Sequence, residues 1–292
     1  MLGLTGCAGE LSGGVPYVDR DLPAPFDLFL ADGPSVPDGP GPDRDPTKDN
    51  GPTPDQYSPA GVWQPKPGTK WQWQLTGTLN TSLPVKMYDI DLFNNSATVI
   101  GNLKASGHVV ICYFSAGSYE DWRPDAQDFP SSVIGDEMSG WNENWIDIRA
   151  QAVRTIMSKR LDLAQSKDCD GVEPDNVDGY TNQTGYPLTY ADQLAYNKFL
   201  AAEAHKRKLS VGMKNDLDQV LDLVPYFDWA LNEQCLEYSE CQMLTPFIKA
   251  NKAVFHVEYS PASRSSVCPK VSGLKFDTLI KNMDLDAWYE AC

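Results

Sequence analysis

The chain has 292 residues, 41% of them hydrophobic, which is enough to bury one sizeable core. Its formal net charge of -16 is spread along the sequence. This charge argues against nucleic-acid phosphates and anionic membrane surfaces as partners, and it suits a neutral or cationic ligand. An acidic surface that keeps the protein soluble is the alternative explanation. No apolar run approaches the roughly 20 residues of a transmembrane helix, so we expect no membrane span.

Residues 1–60 predict a disordered tail and flexible linker. Residues 31–60 are crowded with Pro, Gly and Asp, a composition that cannot bury enough surface to offset the entropy of ordering. Cys7 ends a Leu-Thr-Gly-Cys segment similar to the site at which bacterial lipoprotein signals are cleaved and acylated, but almost no hydrophobic region and no basic region precede it. A lipid anchor at Cys7 and a chance cysteine in a tail both stay open.

Residues 61–292 predict one α/β domain, a (β/α)₈ or TIM barrel. All eight tryptophans lie at or beyond Trp63, and from there short apolar runs alternate with amphipathic segments. Residues 151–165 and 190–207 carry apolar side chains at helical spacing, with Thr189 placed as the second helix's N-cap. A doubly wound open sheet is the alternative, but no glycine-rich nucleotide loop supports it. The strand candidates are residues 71–75, 85–92, 109–115, 171–176, 210–215, 229–234, 253–259 and 276–282.

Six cysteines lie beyond Cys7, and their even number without a C-x-x-C pair indicates disulfides in an oxidising compartment. Proximity in sequence favours Cys235 with Cys241 and Cys268 with Cys292. That choice leaves Cys112 with Cys169. Buried free thiols are the alternative.

Polar side chains gather at the carboxyl ends of the predicted strands, where barrel enzymes carry their active sites. Because side chains alternate along a strand, Glu173 and Asp175 share one face. Pro174 lacks an N–H and predicts a distorted strand end. The strand ends carry Asp89, Asp91, Tyr113, Ser115, Glu173, Asp175, Asn176, Lys214, Asn215, Asn232, Glu233, Glu258 and Tyr259.

This ring of carboxylates favours glycoside hydrolysis, in which one carboxyl group protonates the leaving oxygen and the other attacks the anomeric carbon or activates water. The three histidines lie far apart and no G-x-S-x-G segment occurs, so we expect neither a metal nor another cofactor. Several aromatic side chains could stack on sugars: Trp71, Trp73, Tyr88, Tyr113, Trp122 and Trp141. A core position is the commoner role for each of them.

From about Trp63 to the C-terminus the chain resembles the bacterial and fungal endo-α-1,4-polygalactosaminidases of glycoside hydrolase family 114. The resemblance implies a (β/α)₈ barrel that hydrolyses internal α-1,4 bonds of galactosamine polymers with retention of configuration. It is carried by the segments WQWQLTG, YDIDLF, ICYFSAGSYEDWRPD, CDGVEPDNVDGY, VGMKND, NEQC and FHVEY, in that order along the chain.

Carried over by motif, Asp175 of EPDN corresponds to the nucleophile and Glu233 of NEQC to the general acid/base. The resemblance also implies subsite or supporting roles for Asp89, Tyr113, Glu173, Asn176, Lys214, Asn215 and Glu258. The residues alone point to this location but do not select that catalytic pair among the carboxylates.

The resulting expectation is a secreted or cell-surface monomer that acts on an amino-sugar polysaccharide and binds no nucleic acid. Two rival functions stay open. One is a barrel that binds carbohydrate without turnover, and the other is a glycosidase that acts on a different α-linked glycan. Loop positions decide between such substrates, and the sequence discriminates poorly at that level.

Overall fold

Eight parallel strands form the barrel in the computed structural model of the chain, which describes residues 60–292. The predicted tail and Cys7 lie outside the described residues. The strands are β1 (Trp71–Gln74), β2 (Met87–Asp91), β3 (Val109–Ser115), β4 (Ser118–Tyr119), β5 (Ile134–Glu137), β6 (Asn144–Ile146), β7 (Gly171–Asp175), β8 (Ser210–Lys214), β9 (Trp229–Glu233), β10 (Val254–Tyr259), β11 (Asp277–Lys281) and β12 (Tyr289–Ala291).

The large sheet runs in the order β1-β2-β3-β7-β8-β9-β10-β11-β12, and every pair is parallel except β11 with β12. Its eight parallel strands coincide with the eight predicted ones, which confirms the barrel and excludes the open-sheet alternative. The antiparallel β12 was not predicted. The ends of the barrel meet where Trp71 Nε1 donates to the Asp277 carbonyl (2.8 Å) and Leu75 N donates to the Leu285 carbonyl (2.9 Å).

The described part of the chain contains six α-helices, which pack around the strands: α1 (Ala97–Ala105), α2 (Gln151–Ser166), α3 (Tyr190–Lys206), α4 (Val220–Leu223), α5 (Thr245–Lys249) and α6 (Arg264–Val271). The two helices predicted from sequence correspond to α2 and α3. The apolar stripe of α2 is buried, as its spacing predicts. Thr189 caps α3 in a capping box with Asp192, which confirms the predicted start of that helix.

Apolar side chains form two core layers. One layer fills the barrel interior, where the rings of Trp71 and Phe255 lie 4.8 Å apart and those of Trp229 and Phe255 lie 5.4 Å apart. The other lies between the strands and the helices. Trp71, Trp73 and Tyr88 are buried in these layers, so they do not present faces to a sugar. Trp122 and Trp141 are 53% and 56% exposed.

All three predicted disulfides form: Cys112–Cys169, Cys235–Cys241 and Cys268–Cys292. The first joins β3 to the turn before β7, and the third ties α6 to the last residue of the chain. The second closes a short loop directly after β9. Disulfides of this number are typical of extracytoplasmic proteins.

A small antiparallel sheet, in the order β4-β6-β5, is inserted between β3 and α2. It brings a loop with Glu143 over the carboxyl end of β3. Among residues 60–292, no helix is long and apolar enough to cross a membrane.

Candidate active site

Lys214 lies at the centre of a carboxylate cluster formed by the ends of three neighbouring strands. It is 2% exposed, and its Nζ lies 2.8 Å from Asp175 Oδ1, 3.0 Å from Glu233 Oε2 and 3.5 Å from Glu173 Oε1. Burial alone would lower the pKa of Lys214, but Asp175, Glu233 and Glu173 raise it well above its ordinary value. A permanent cation thus holds three acidic side chains together.

Both oxygens of Asp175 are oriented by donors. Oδ1 accepts from Lys214 and from the backbone N–H of Asn176 (2.7 Å), and Oδ2 accepts from the Tyr113 hydroxyl (2.9 Å). Burial and the negative charge of Asp175 raise the pKa of Tyr113 well above its ordinary value, so this phenol stays a donor. The side chain of Asp175 is partly exposed towards the cleft.

The local backbone explains how Asp175 comes to this position. Strand β7 pairs with β8 only through Gly171 and Val172, so Pro174 lies beyond the end of that ladder, as expected of a residue without an N–H. On the other side, the N–H groups of Ala116 and Gly117 donate to the Asp175 carbonyl. A Cβ at Gly117 would lie 1.6 Å from the Asn176 carbonyl oxygen, so only glycine permits this approach.

Glu233 ends β9 and is held by an amide and a phenol. Asn215 Nδ2 donates to Glu233 Oε2 (3.2 Å), while Asn215 Oδ1 accepts from the backbone N–H of Glu233 (3.0 Å). The Tyr259 hydroxyl donates to Glu233 Oε1. Burial and Glu233 raise the pKa of Tyr259, so it remains protonated. Sequence reasoning placed Tyr259 at a strand end but gave it no role.

Asp89 and Glu173 form the floor of the cleft inside the barrel. Both are fully buried; no other residue donates to their carboxylate oxygens, and the two carboxyl groups hydrogen-bond to each other. Burial raises the pKa of Asp89 to about 7, and burial together with Asp89 raises that of Glu173 well above its ordinary value. At neutral pH at least one of the two is therefore protonated. The ring of Trp73 lies 4.9 Å from Lys214 Nζ beside them.

Two other predicted site residues, Asn176 and Glu258, form side-chain contacts with neighbouring residues of the protein. Asn176 Nδ2 donates to Ser115 Oγ (2.9 Å), although its backbone N–H orients Asp175. Glu258 is buried; its Oε1 accepts from the Leu236 N–H (2.9 Å) and lies 2.9 Å from His256 Nε2. Glu258 thus supports the loop that follows Glu233, and its contact with substrate stays a prediction.

A chain of polar groups next to Asn176 was missed by sequence reasoning. The Ser115 and Ser118 hydroxyls lie 2.5 Å apart, and Ser118 donates to Glu143 Oε2. Burial raises the pKa of Glu143 to about 7. The sequence carries no signal for this contact, because the inserted sheet brings Glu143 to Ser118, 25 residues earlier in the chain.

A cavity of about 410 Å³ adjoins Glu233. It is lined by the ends of β8 and β9, by the loop after β7 and by the loop that the Cys235–Cys241 disulfide closes. Glu233 lines this cavity, and Asp175 does not.

Two acidic side chains thus contact one lysine at the carboxyl end of a (β/α)₈ barrel. This fold and site define the class of glycoside hydrolases. The chain belongs to glycoside-hydrolase family GH114, whose sequence profile matches residues 52–292. The resemblance seen in the sequence is therefore confirmed, and the protein is a glycoside hydrolase.

Two solved structures are similar to the chain. Ega3 of Aspergillus fumigatus, solved in complex with galactosamine, is 44% identical, with a TM-score of 0.76 over 81% of this chain and 100% of that one. The glycoside hydrolase domain of PelA from Pseudomonas aeruginosa is 13% identical, with a TM-score of 0.63 over 76% of this chain and 98% of that domain; it supports the fold alone. No curated protein sequence matches the chain significantly.

Proposed function

We propose that the protein is a retaining, endo-acting glycoside hydrolase that cleaves α-1,4 bonds in galactosamine-containing polysaccharide. The observation that carries the proposal is the Asp175–Lys214–Glu233 cluster in a chain that is 44% identical to a galactosamine-bound relative. The acidic cleft supports an amino-sugar substrate, because a protonated amine is attracted to uncompensated carboxylates.

In the proposed reaction Glu233 donates its proton to the glycosidic oxygen while Asp175 attacks the anomeric carbon. The bond between that carbon and the leaving oxygen breaks, and a glycosyl ester of Asp175 forms. Glu233, now ionised, removes a proton from water, and the water oxygen displaces Asp175 from the sugar. Lys214, Tyr113 and the Asn176 N–H hold Asp175 in position for attack.

The spacing of the two acids supports retention. Asp175 Oδ1 and Glu233 Oε2 lie 2.8 Å and 3.0 Å from the same Lys214 nitrogen, so the distance between them cannot exceed the sum of these values. Carboxyl groups of retaining enzymes lie roughly 5 to 5.5 Å apart and those of inverting enzymes roughly 6.5 to 9.5 Å apart. The shorter class therefore fits this pair of oxygens.

We assign substrate contacts to the residues that line or support the cleft. Asp89 and Glu173 are assigned a supporting role, because both are fully buried beside Lys214 and bond to each other. Further subsite or supporting roles are proposed for Tyr113, Asn176, Lys214, Asn215 and Glu258.

We further propose a secreted or cell-surface location, since three disulfides are stable in oxidising compartments. The proposal also includes a lipid anchor at Cys7 and a monomeric state.

The proposal is tested by digestion of partly deacetylated α-1,4-linked galactosamine polymer. We expect soluble oligosaccharides from the wild-type protein and a loss of rate of at least about 10⁴-fold in Asp175→Asn and Glu233→Gln, because each removes a group that acts in the transition state. Circular dichroism shows whether the variants are folded. Wild-type protein that binds the polymer without releasing products would instead indicate a carbohydrate-binding barrel.

A further inference from the structure

A relay of hydrogen bonds, the serine relay, runs from Asn176 through Ser115 and Ser118 to Glu143. Asn176 Nδ2 donates to Ser115 Oγ (2.9 Å). The Ser115 and Ser118 hydroxyls lie 2.5 Å apart, and Ser118 donates to Glu143 Oε2. Both serines are fully buried, whereas Glu143 is partly exposed. The proposed reaction gives no role to either serine or to Glu143, although the relay begins at the residue next to the proposed nucleophile.

The two ends of the serine relay fix the direction of its hydrogen bonds. The amide nitrogen of Asn176 can only donate, and an ionised carboxylate can only accept. Ser115 Oγ also accepts from the backbone N–H of Ser118 (3.2 Å), so both of its lone pairs are used and its proton points to Ser118. Without Glu143 as acceptor, Ser118 would turn its proton back to Ser115. The Asn176 amide would then lose its place on that oxygen.

The backbone of Asn176 connects the serine relay to Asp175. The Asn176 N–H donates to Asp175 Oδ1 (2.7 Å), and Asn176 lies in the left-handed region with φ of 59°. Asparagine tolerates this conformation, but its own preference does not hold it there. The contact of the Asn176 side chain with Ser115 fixes one end of the residue, and its carbonyl packs closely against Gly117. The direction of the N–H that orients Asp175 therefore depends on the relay.

The inserted sheet places Glu143 at the end of the relay. Strands β5 and β6 pair antiparallel and form a hairpin, whose tip is residues 138–143. Within the tip, the Met138 N–H donates to the Glu143 carbonyl (2.7 Å) and the Trp141 N–H donates to the Met138 carbonyl (3.0 Å). Gly140 has φ of 83°, a conformation that glycine adopts without steric cost. The hairpin thus holds the backbone of Glu143 beside Ser118.

The turn that carries the two serines is also anchored without Glu143. The carbonyls of residues 115–117 accept, in order, from Arg160 Nη1 (2.7 Å), from the Tyr196 hydroxyl (2.6 Å) and from the Ile146 N–H (3.1 Å). These bonds hold the backbone of the turn from the helix side and from β6. Removal of the Glu143 side chain is therefore expected to change the hydrogen bonds of the relay and to leave the fold intact.

We infer that Glu143 is a positioning residue for the nucleophile. By accepting from Ser118 it fixes the serine relay, and through Asn176 the relay fixes the N–H that orients Asp175. The inference rests on the proposed function, in which Asp175 attacks the anomeric carbon. Glu143 acts on the nucleophile and not on the bound sugar, so its loss should lower kcat and leave KM nearly unchanged.

The test is steady-state kinetics on fully deacetylated α-1,4-galactosamine oligosaccharides of one length. We expect Glu143→Ala to lower kcat by roughly 10- to 100-fold and to change KM by less than about 2-fold, because a small displacement of a reacting group is costly. Glu143→Gln keeps an acceptor oxygen at the same reach, although a neutral one, and should retain kcat to within about 5-fold. Glu137→Ala removes an exposed carboxylate from β5 of the same hairpin and is the matched control, which should equal the wild type.

A double-mutant cycle shows whether Glu143 acts through the relay. Ser118→Ala breaks the relay in the middle and should lower kcat by a similar factor, and the double variant should be no slower than the slower single variant. Circular dichroism shows that the variants are folded. An unchanged kcat in Glu143→Ala, a raised KM at constant kcat, or losses that multiply in the double variant would overturn this inference alone. The absence of hydrolysis by the wild-type protein would refute the proposed function as well.

Discussion

Lys214 is the residue on which the organisation of the site depends, since it compensates the charge of three acids from the two neighbouring strands, β7 and β9. Replacing a buried cation with an apolar side chain leaves several carboxylates without a counter-charge, which is far less favourable than losing a surface ion pair. The sequence places Lys214 at a strand end, and the family resemblance implies a supporting role. Neither indicates that one nitrogen contacts both proposed catalytic acids.

We predict that Lys214→Met lowers kcat by about 100-fold or more, because the donor that orients Asp175 is lost. The same change should lower the free energy of unfolding by about 3–5 kcal/mol near pH 8. The loss should shrink near pH 5, where protonation removes the repulsion among the acids. Urea denaturation at the two pH values measures this loss of free energy of unfolding.

Lys167→Met is the matched control for this pH dependence. Lys167 Nζ donates to the carbonyls of Leu92 and Asn95, both at 2.7 Å, and its bonds do not involve carboxylates. Its loss of stability should therefore be similar at both pH values. Equal pH dependence of the two variants would contradict the role given to Lys214.

The position of a single residue in the site could be predicted where the evidence for it lies within a short stretch of sequence. Glu173 and Asp175 were placed on one face by strand alternation, and both contact Lys214. The selection of Asp175 and Glu233 as the catalytic pair needed the family resemblance, because a barrel with many strand-end acids offers many pairs. Tyr259 and Glu143 escaped assignment, since their roles arise from contacts between segments distant in sequence.

At the level of elements, the loop after β9 couples a disulfide to the proposed acid/base. Cys235 lies two residues after Glu233, and the Cys235–Cys241 disulfide closes a loop whose Tyr238 and Glu240 line the cavity. Glu258 supports the same loop through Leu236. This short element therefore serves the cleft more than it serves the stability of the barrel.

Removing the disulfides in turn, as paired Cys→Ala variants, should separate these roles. With sequence separations of 57, 24 and 6, the chain-entropy estimate gives stability losses of about 4, about 3 and about 2 kcal/mol for Cys112–Cys169, Cys268–Cys292 and Cys235–Cys241. Loss of the Cys235–Cys241 disulfide should reduce kcat/KM most, although this disulfide stabilises the fold least. Equal kcat/KM in all three variants would show that the loop does not shape the cleft.

Strands and their order were predictable because apolar runs of strand length recur between amphipathic segments from Trp71 onward. The small sheet of β4, β5 and β6 was not, because its strands are two to four residues long and carry no clear alternation. The antiparallel β12 is equally short, and the Cys268–Cys292 disulfide fixes the end of the chain next to it.

At the scale of the whole molecule, the barrel buries several carboxyl groups whose pKa values are raised. Burial is the first cause in each case, and the values reach about 7 for Asp89, Glu143 and Asp277, about 6 for Asp178 and about 8 for Asp216. The native state therefore binds these protons more tightly than the unfolded chain does. The formal net charge of -16 adds repulsion when they ionise.

We predict that the melting temperature falls as the pH rises from about 5 to about 8, because each raised pKa makes ionisation less favourable in the folded state. The pKa of Lys281 is lowered to about 8, so this group is protonated in both states below that pH and its contribution stays nearly constant across most of this window. Asp277→Asn, remote from the cleft, should flatten part of the decline. Calorimetry across the window checks this; a melting temperature that rises with pH would contradict it.

Proton NMR of the first products formed from α-1,4-linked polygalactosamine tests the nucleophilic role of Asp175 directly. We expect new reducing ends in the α configuration, which then equilibrate to the β form, because Asp175 forms a glycosyl ester that water opens from the same side as the departed sugar. β ends that form first would indicate inversion and contradict the assignment of Asp175 as nucleophile.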